Sequence, residues 1–163
     1  MKNRRFLYLL FFYISFFNIS FVTANEFEFD VSEIIISDNG SIIEAKNGTA
    51  KSLINGININ ADTFFYNKSA STLTALGDVK ITSIKNDFLI ETQSIIYDTY
   101  KKKISSQDNT LINDANGNLA EAKAFFLNLN DNVIKLKKMK MTDLQQNIIK
   151  LDIAYINLNT RNL

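Results

Sequence analysis

The stretch ININADTFFYNKSASTLTALGDVKI, Ile57 to Ile81, decides the fold. Two apolar-rich runs, Ile57–Tyr66 and Leu73–Ile81, flank a polar break from Asn67 to Ser71. Apolar and polar residues alternate through Ile57, Ile59, then Leu73, Ala75, Val79 and Ile81, which is the period of half-buried strands. The pattern then returns. Ala61 to Asn67 (ADTFFYN) is echoed by Thr92 to Asp98 (TQSIIYD) 31 residues on, by Ala122 to Asn128 (AKAFFLN) after a further 30, and by Asp152 to Asn157 (DIAYIN) after about 29 more. A unit of this length marks a stacked repeat in which no single unit buries its apolar face alone.

Composition narrows the function classes. The chain has 163 residues, 46% of them hydrophobic and 12% aromatic, enough for one domain with a real core. It has no cysteine and no histidine, so disulfides, thiolate or imidazole metal sites and a Ser-His-Asp triad are excluded. Residues 1–24 read as a secretory leader: Lys2, Arg4 and Arg5 precede an apolar run from Phe6 to Val22, and Val22-Thr23-Ala24 supplies a cleavage site after Ala24. An uncleaved membrane anchor is the alternative, although the run sits at the short end of a bilayer span. Taking away the three basic residues of the leader, which holds no acid, moves the net charge from +1 to −2. That balance gives no reason to expect nucleic acid as a partner, and nothing calls for a metal or cofactor.

Beyond the leader, helical periodicity is scarce. Asn39-Gly40, Asn47-Gly48, Asn55-Gly56 and Asn116-Gly117 read as hairpin turns, with Ser41–Lys46 and Thr49–Ile54 as short strands between the first three. Gly77 lies inside a strand pattern and points to a bulge or a close backbone approach. Ala120–Leu127 has helical propensity, but the repeat register makes it a strand. A propeller needs more blades than the chain supplies, which leaves an all-β, elongated antiparallel stack of V-shaped strands with an apolar inside.

Ile59–Asn67 followed by Leu73–Ile81, with Gly77-Asp78-Val79 as its most specific unit, resembles the OstA-like repeat of lipopolysaccharide transport proteins. The likeness runs from about Phe27 to Asn157 and is degenerate later, where Asp108 and Lys138 replace the glycine. The group includes the bridge protein LptA, the anchored LptC and the N-terminal periplasmic domain of LptD. The opening Phe27–Ile34 and the cut-off fourth unit are most similar to the LptD domain, with an LptA-like bridge, an LptC-like anchored protein or a ligand-free structural repeat as alternatives. The resemblance implies an OstA-like β-jellyroll of stacked antiparallel strands over residues 25–163, open-ended, after an N-terminal signal helix. It implies a non-enzymatic protein of the periplasm or outer membrane of a Gram-negative bacterium that carries lipid A acyl chains. The implied partners are lipopolysaccharide, other Lpt jellyrolls stacked by their edge strands and, for LptD, an outer-membrane barrel with its lipoprotein.

An acyl chain needs only a continuous apolar trough, worth about 0.8 kcal/mol per buried methylene. Extending the alternation gives Ile57, Ile59, Phe65, Leu73, Val79 and Ile81 as its lining, with Phe88, Ile90 and Ile96 continuing it; an ordinary closed core fits the same pattern. Phe64, Tyr66, Ile95 and Tyr97 then fall on the opposite parity, to cover the outer face or turn inward at a local twist. Lys101–Lys103 and Lys135, Lys137, Lys138 and Lys140 suit phosphate, or simply a solvated or protected strand edge.

Overall fold

A computed structural model describes residues 26–83, 88–113 and 118–158; the leader and Asn116-Gly117 lie outside the described residues. Strands β1 (Glu28–Ser37), β2 (Ile42–Ser52), β3 (Ile57–Asn67), β4 (Thr72–Ser83) and β5 (Leu89–Asp98) form an antiparallel meander. The chain continues through β6 (Lys103–Ser106), β7 (Thr110–Asn113), β8 (Leu119–Ala122), β9 (Ala124–Asn128), β10 (Val133–Thr142) and β11 (Ile148–Asn157). The pairs β6/β7 and β8/β9 are each one strand broken in the middle. The end of β5 pairs with β6 and its start with β7, while β10 pairs with β9 and β8 along its two halves and with β11 on its far side.

Each strand turns a corner at mid-length. Ser32 and Asn47 interrupt the β1–β2 register, and the registers of β3–β4 and β4–β5 shift between Asn60/Thr63 and Leu76/Val79. The break between β6 and β7 contains Asp108, and that between β8 and β9 is Lys123. Asp78, Gln93, Asp108, Lys123 and Lys138 therefore stand 15 residues apart, so the repeat of about 30 is two V-shaped strands. Positive φ angles at Asn47, Gly77, Asp78 and Lys138 mark the column. Gly77 is required there, because a Cβ would meet the Asp62 side chain, 2.8 Å from its Cβ, at a φ of 78°. The bulge expected at Gly77 is present.

The corners fold one sheet into two half-sheets that face each other over a single core. Phe29, from the first half of β1, meets Phe64 in the second half of β3 with ring centroids 5.9 Å apart. At the β6/β7 break, hydroxyls replace ladder bonds. Thr92 Oγ1 lies 3.0 Å from Ser106 Oγ, and Ser106 Oγ accepts from the Asp108 N–H at 3.0 Å.

Two expectations need correction. Asn47-Gly48 is not a hairpin turn: the two short strands expected on either side of it are one strand, β2, which runs from Ile42 through Asn47 to Ser52, and Asn47 is its corner. Gly48 lets β1 approach there, since a Cβ would lie 2.7 Å from the Cα of Val31. Phe65 and Ile96 face outward, not inward, with exposures of 43% and 55%. In β3 and β5 passing the corner shifts the pleat by one residue and moves every later side chain to the other face. In β4, by contrast, the two residues Gly77 and Asp78 occupy the corner, and the alternation of Leu73, Ala75, Val79 and Ile81 is kept. Hence Phe64, Tyr66, Ile95 and Tyr97 are the buried ones.

Candidate functional site

The inner faces of the half-sheets are apolar rows running across the strands. One row joins Phe29, Ala50, Ile59, Ile81, Ile90, Ile112, Ala120, Met141 and Ile149 through successive register partners. Its counterpart on the other half-sheet joins Ile36, Ile43, Tyr66, Leu73, Tyr97, Ile104, Leu127, Ile134 and Ile156. Of the lining residues expected from sequence, Ile57, Ile59, Leu73, Val79, Ile81, Phe88 and Ile90 are buried between the half-sheets. Missing from that expectation are Phe64, Tyr66, Ile95, Tyr97, Phe125, Leu127, Ile134 and Leu136, all buried in the same core. A signal for them existed: in the echoed triplets Phe64-Phe65-Tyr66, Ile95-Ile96-Tyr97 and Phe125-Phe126-Leu127, only the central residue is not buried.

The rows are closed to water in the middle and open at both ends. On β1, Ile34 and Ile36 share the inner face with buried Ala45 and Ile43 yet are 48% and 60% exposed. On β11, Ile149 and Leu151 lie opposite buried Met141 and Met139 and are 50% and 47% exposed. Among the described residues no further strand covers them, and the apolar interior runs out to solvent at each terminal strand.

Near β1 one part of the mouth is filled. The Phe27 ring packs edge-on against Tyr66 at 5.0 Å and Tyr97 at 5.6 Å, crossing from one half-sheet to the other. Glu26 Oε1 accepts from Ser52 Oγ at 3.1 Å and Asn55 Nδ2 at 2.9 Å, and Asn55 Nδ2 also donates to the Tyr97 hydroxyl at 2.7 Å. Burial, reinforced by the charge of Glu26, pushes the Tyr97 phenol far above its ordinary pKa. Tyr66 is raised for the same two reasons.

The outer faces carry the charge. Lys80 pairs with Glu91 at 3.0 Å, Lys140 with Glu121 at 3.7 Å and Lys138 with Asp152 at 2.5 Å. On the second half-sheet Asp98 accepts from the Lys101 backbone N–H at 2.8 Å and from its ammonium at 2.9 Å, which hold its carboxyl below the usual range.

An antiparallel sheet folded along a corner column, apolar within and with inner residues exposed at both terminal strands, defines a β-jellyroll. The family follows from sequence. The model of the lipopolysaccharide-assembly, LptC-related family matches residues 35–142, and the chain belongs to that family. No curated protein sequence matches the chain. Among solved structures it is similar to the crystal structure of LptH, described as the LptA homologous periplasmic component of the lipopolysaccharide transport device from Pseudomonas aeruginosa. The TM-score is 0.56 at 8% identity, covering 77% of this chain and 93% of that one, and the likeness speaks to the fold. The OstA-like lipopolysaccharide transport family and its jellyroll, expected from Ile59–Asn67 and Leu73–Ile81, are thus both found.

Proposed function

We propose that the chain is a non-enzymatic lipopolysaccharide transport module of the periplasm, holding acyl chains between its half-sheets and passing them toward the outer membrane. The observation that carries this is the exposure of Ile34, Ile36, Ile149 and Leu151, where the inner apolar rows reach solvent at both terminal strands. The inner lining is Ile57, Ile59, Leu73, Val79, Ile81, Phe88 and Ile90, and the outer edges of β1 and β11, unpaired among the described residues, are where other Lpt jellyrolls would add a strand. Membership of the LptC-related family favours an LptC-like component. An LptD-like N-terminal domain, with a barrel and lipoprotein as partners, is the second reading, favoured by the likeness of Phe27–Ile34 to that domain.

A photo-crosslinking amino acid tests the reading at adjacent positions of β4. Ile81 faces inward and Thr82 outward, so crosslinks to lipopolysaccharide should form from Ile81 and from Ile36 at the mouth, and not from Thr82. Equal labelling at Ile81 and Thr82 would remove the inner trough.

A further inference from the structure

Members of the two lysine clusters that stand apart in the sequence, Lys101 and Lys103 from one and Lys135 and Lys137 from the other, meet on one outer face. Ile96, Ser105, Phe126, Lys135 and Tyr155 form a row across β5, β6, β9, β10 and β11. They floor a concave cavity of about 720 Å³ that Lys101, Lys103, Lys135 and Lys137 also line. Two carboxylates, Asp98 and Asp131, line it too, but both are engaged: Asp98 by Lys101 and Asp131 by the Asn128 amide at 2.7 Å. Among the described residues Lys103, Lys135 and Lys137 form no ion pair, whereas Lys80, Lys138 and Lys140 each do. The Lys135 ammonium instead stands 5.6 Å from the Tyr155 ring centroid and that of Lys137 5.0 Å from the Phe126 ring centroid.

Edge protection does not account for these lysines. Strands β6 and β10 are paired on both sides, so their lysines guard no open edge. A free inorganic anion accounts for the charge but not for the floor, in which Ile96 and Tyr155 remain exposed. The volume lies in the range of about 300–1,000 Å³ that takes an organic ligand rather than a small ion.

We propose that this outer cavity binds the phosphorylated head of a lipid, with Lys103, Lys135 and Lys137 on the phosphate and Ile96, Phe126 and Tyr155 against the apolar part that follows it. The site lies on the opposite face of the sheet from the acyl trough and does not depend on that trough being occupied.

The test uses the full chain and dihexanoyl phosphatidic acid below its micellar concentration, titrated by calorimetry beside dihexanoyl phosphatidylcholine and inorganic phosphate. Phosphatidic acid should bind at least about tenfold tighter than either, and the triple substitution Lys103→Gln, Lys135→Gln, Lys137→Gln should remove about tenfold of that affinity. Lys80→Gln with Lys140→Gln, which removes two paired lysines of the other half-sheet, should leave it within about twofold. Circular dichroism confirms that each variant is folded. Inorganic phosphate binding as tightly would reduce the cavity to an anion site and overturn the proposal. So would phosphatidylcholine binding as tightly, which is apolar adsorption, or an equal loss in the control pair, which is a net-charge effect. Because the readout is a soluble headgroup probe, its failure leaves the Ile81/Thr82 crosslinking result untouched.

Discussion

Phe64 and Phe65 are the same residue on opposite faces of one strand, and truncating each in turn measures the pleat shift at the corner. Phe64 has no exposure and sits between the register partners Ala45 and Ala75, whose small side chains leave room for its ring. Phe29 closes over it at 5.9 Å. Phe64→Ala therefore deletes a fully packed ring in a site that cannot collapse, a change that costs about 3–5 kcal/mol. Phe65 lies between Glu44 and Thr74 and keeps 43% of its surface in water. Water fills the space when its ring is removed, so only a partial transfer term is lost, about 1 kcal/mol. With a urea slope of about 2 kcal/mol/M, the two midpoints should separate by about 1–2 M. Equilibrium unfolding in urea, followed by circular dichroism, reads this directly. Coincident midpoints, or a lower one for Phe65→Ala, would mean that the alternation beginning at Ile57 runs unbroken past Asp62, and the corner would be wrong.

Gly77→Ala should destabilise by at least about 1–3 kcal/mol, because its left-handed backbone disfavours any Cβ and Asp62 already occupies the space. Urea midpoints that match wild type would show that β4 does not bulge there. Tyr97 supplies a pH dependence. Its raised phenol pKa means that its share of stability is full below about pH 10, the ordinary tyrosine value, and declines as pH climbs beyond it, since the unfolded chain releases a proton the folded one keeps. Urea midpoints between about pH 9 and 11 should fall less steeply for Tyr97→Phe than for wild type, with Tyr66 supplying the remaining slope.

Strand identity was legible because local chemistry and global pattern agree along this chain. The runs Ile57–Tyr66 and Leu73–Ile81 became β3 and β4, and the helix-prone Ala120–Leu127 became β8 and β9, since register with β10 outweighs intrinsic propensity. Side-chain facing was legible except past the corners of β3 and β5, where the parity inverts. Alternation has period two, and one irregular residue inverts it, so Phe65 and Ile96 were assigned to the wrong face while Ile57, Ile59, Ile81 and Ile90 were placed correctly. Asn47-Gly48 misled for a related reason. Asn tolerates positive φ equally well in a hairpin turn and in a mid-strand bend, and only the pairing of β1 with β2 tells the two apart. The convergence of Lys101 and Lys103 with Lys135 and Lys137 was beyond local reading altogether. It arises because β6 pairs β9, and β9 pairs β10, bringing together segments about 30 residues apart.

The closed middle of the interior and its open ends are consistent with carriage of a tail, on energetic grounds. Ile59, Ile81 and Ile90 have no exposure, so an acyl chain reaches them only by taking the place of contacts between the half-sheets. That exchange swaps one apolar contact for another, and its cost is the separation of the half-sheets needed to admit the tail. The dehydration of the tail itself is additional, and a dozen methylenes leaving water contribute about 10 kcal/mol. What opposes entry is the first displacement, which must come where packing is thinnest. Ile34 and Ile36 on β1, and Ile149 and Leu151 on β11, lack a covering partner among the described residues, so a tail meeting either terminal strand gains dehydration before it breaks any internal contact. Phe27 sets the difference between the two ends. Its ring spans to Tyr66 and Tyr97 while Glu26 is held by Ser52 and Asn55, so entry past β1 must move an aromatic contact that, among the described residues, has no counterpart at β11.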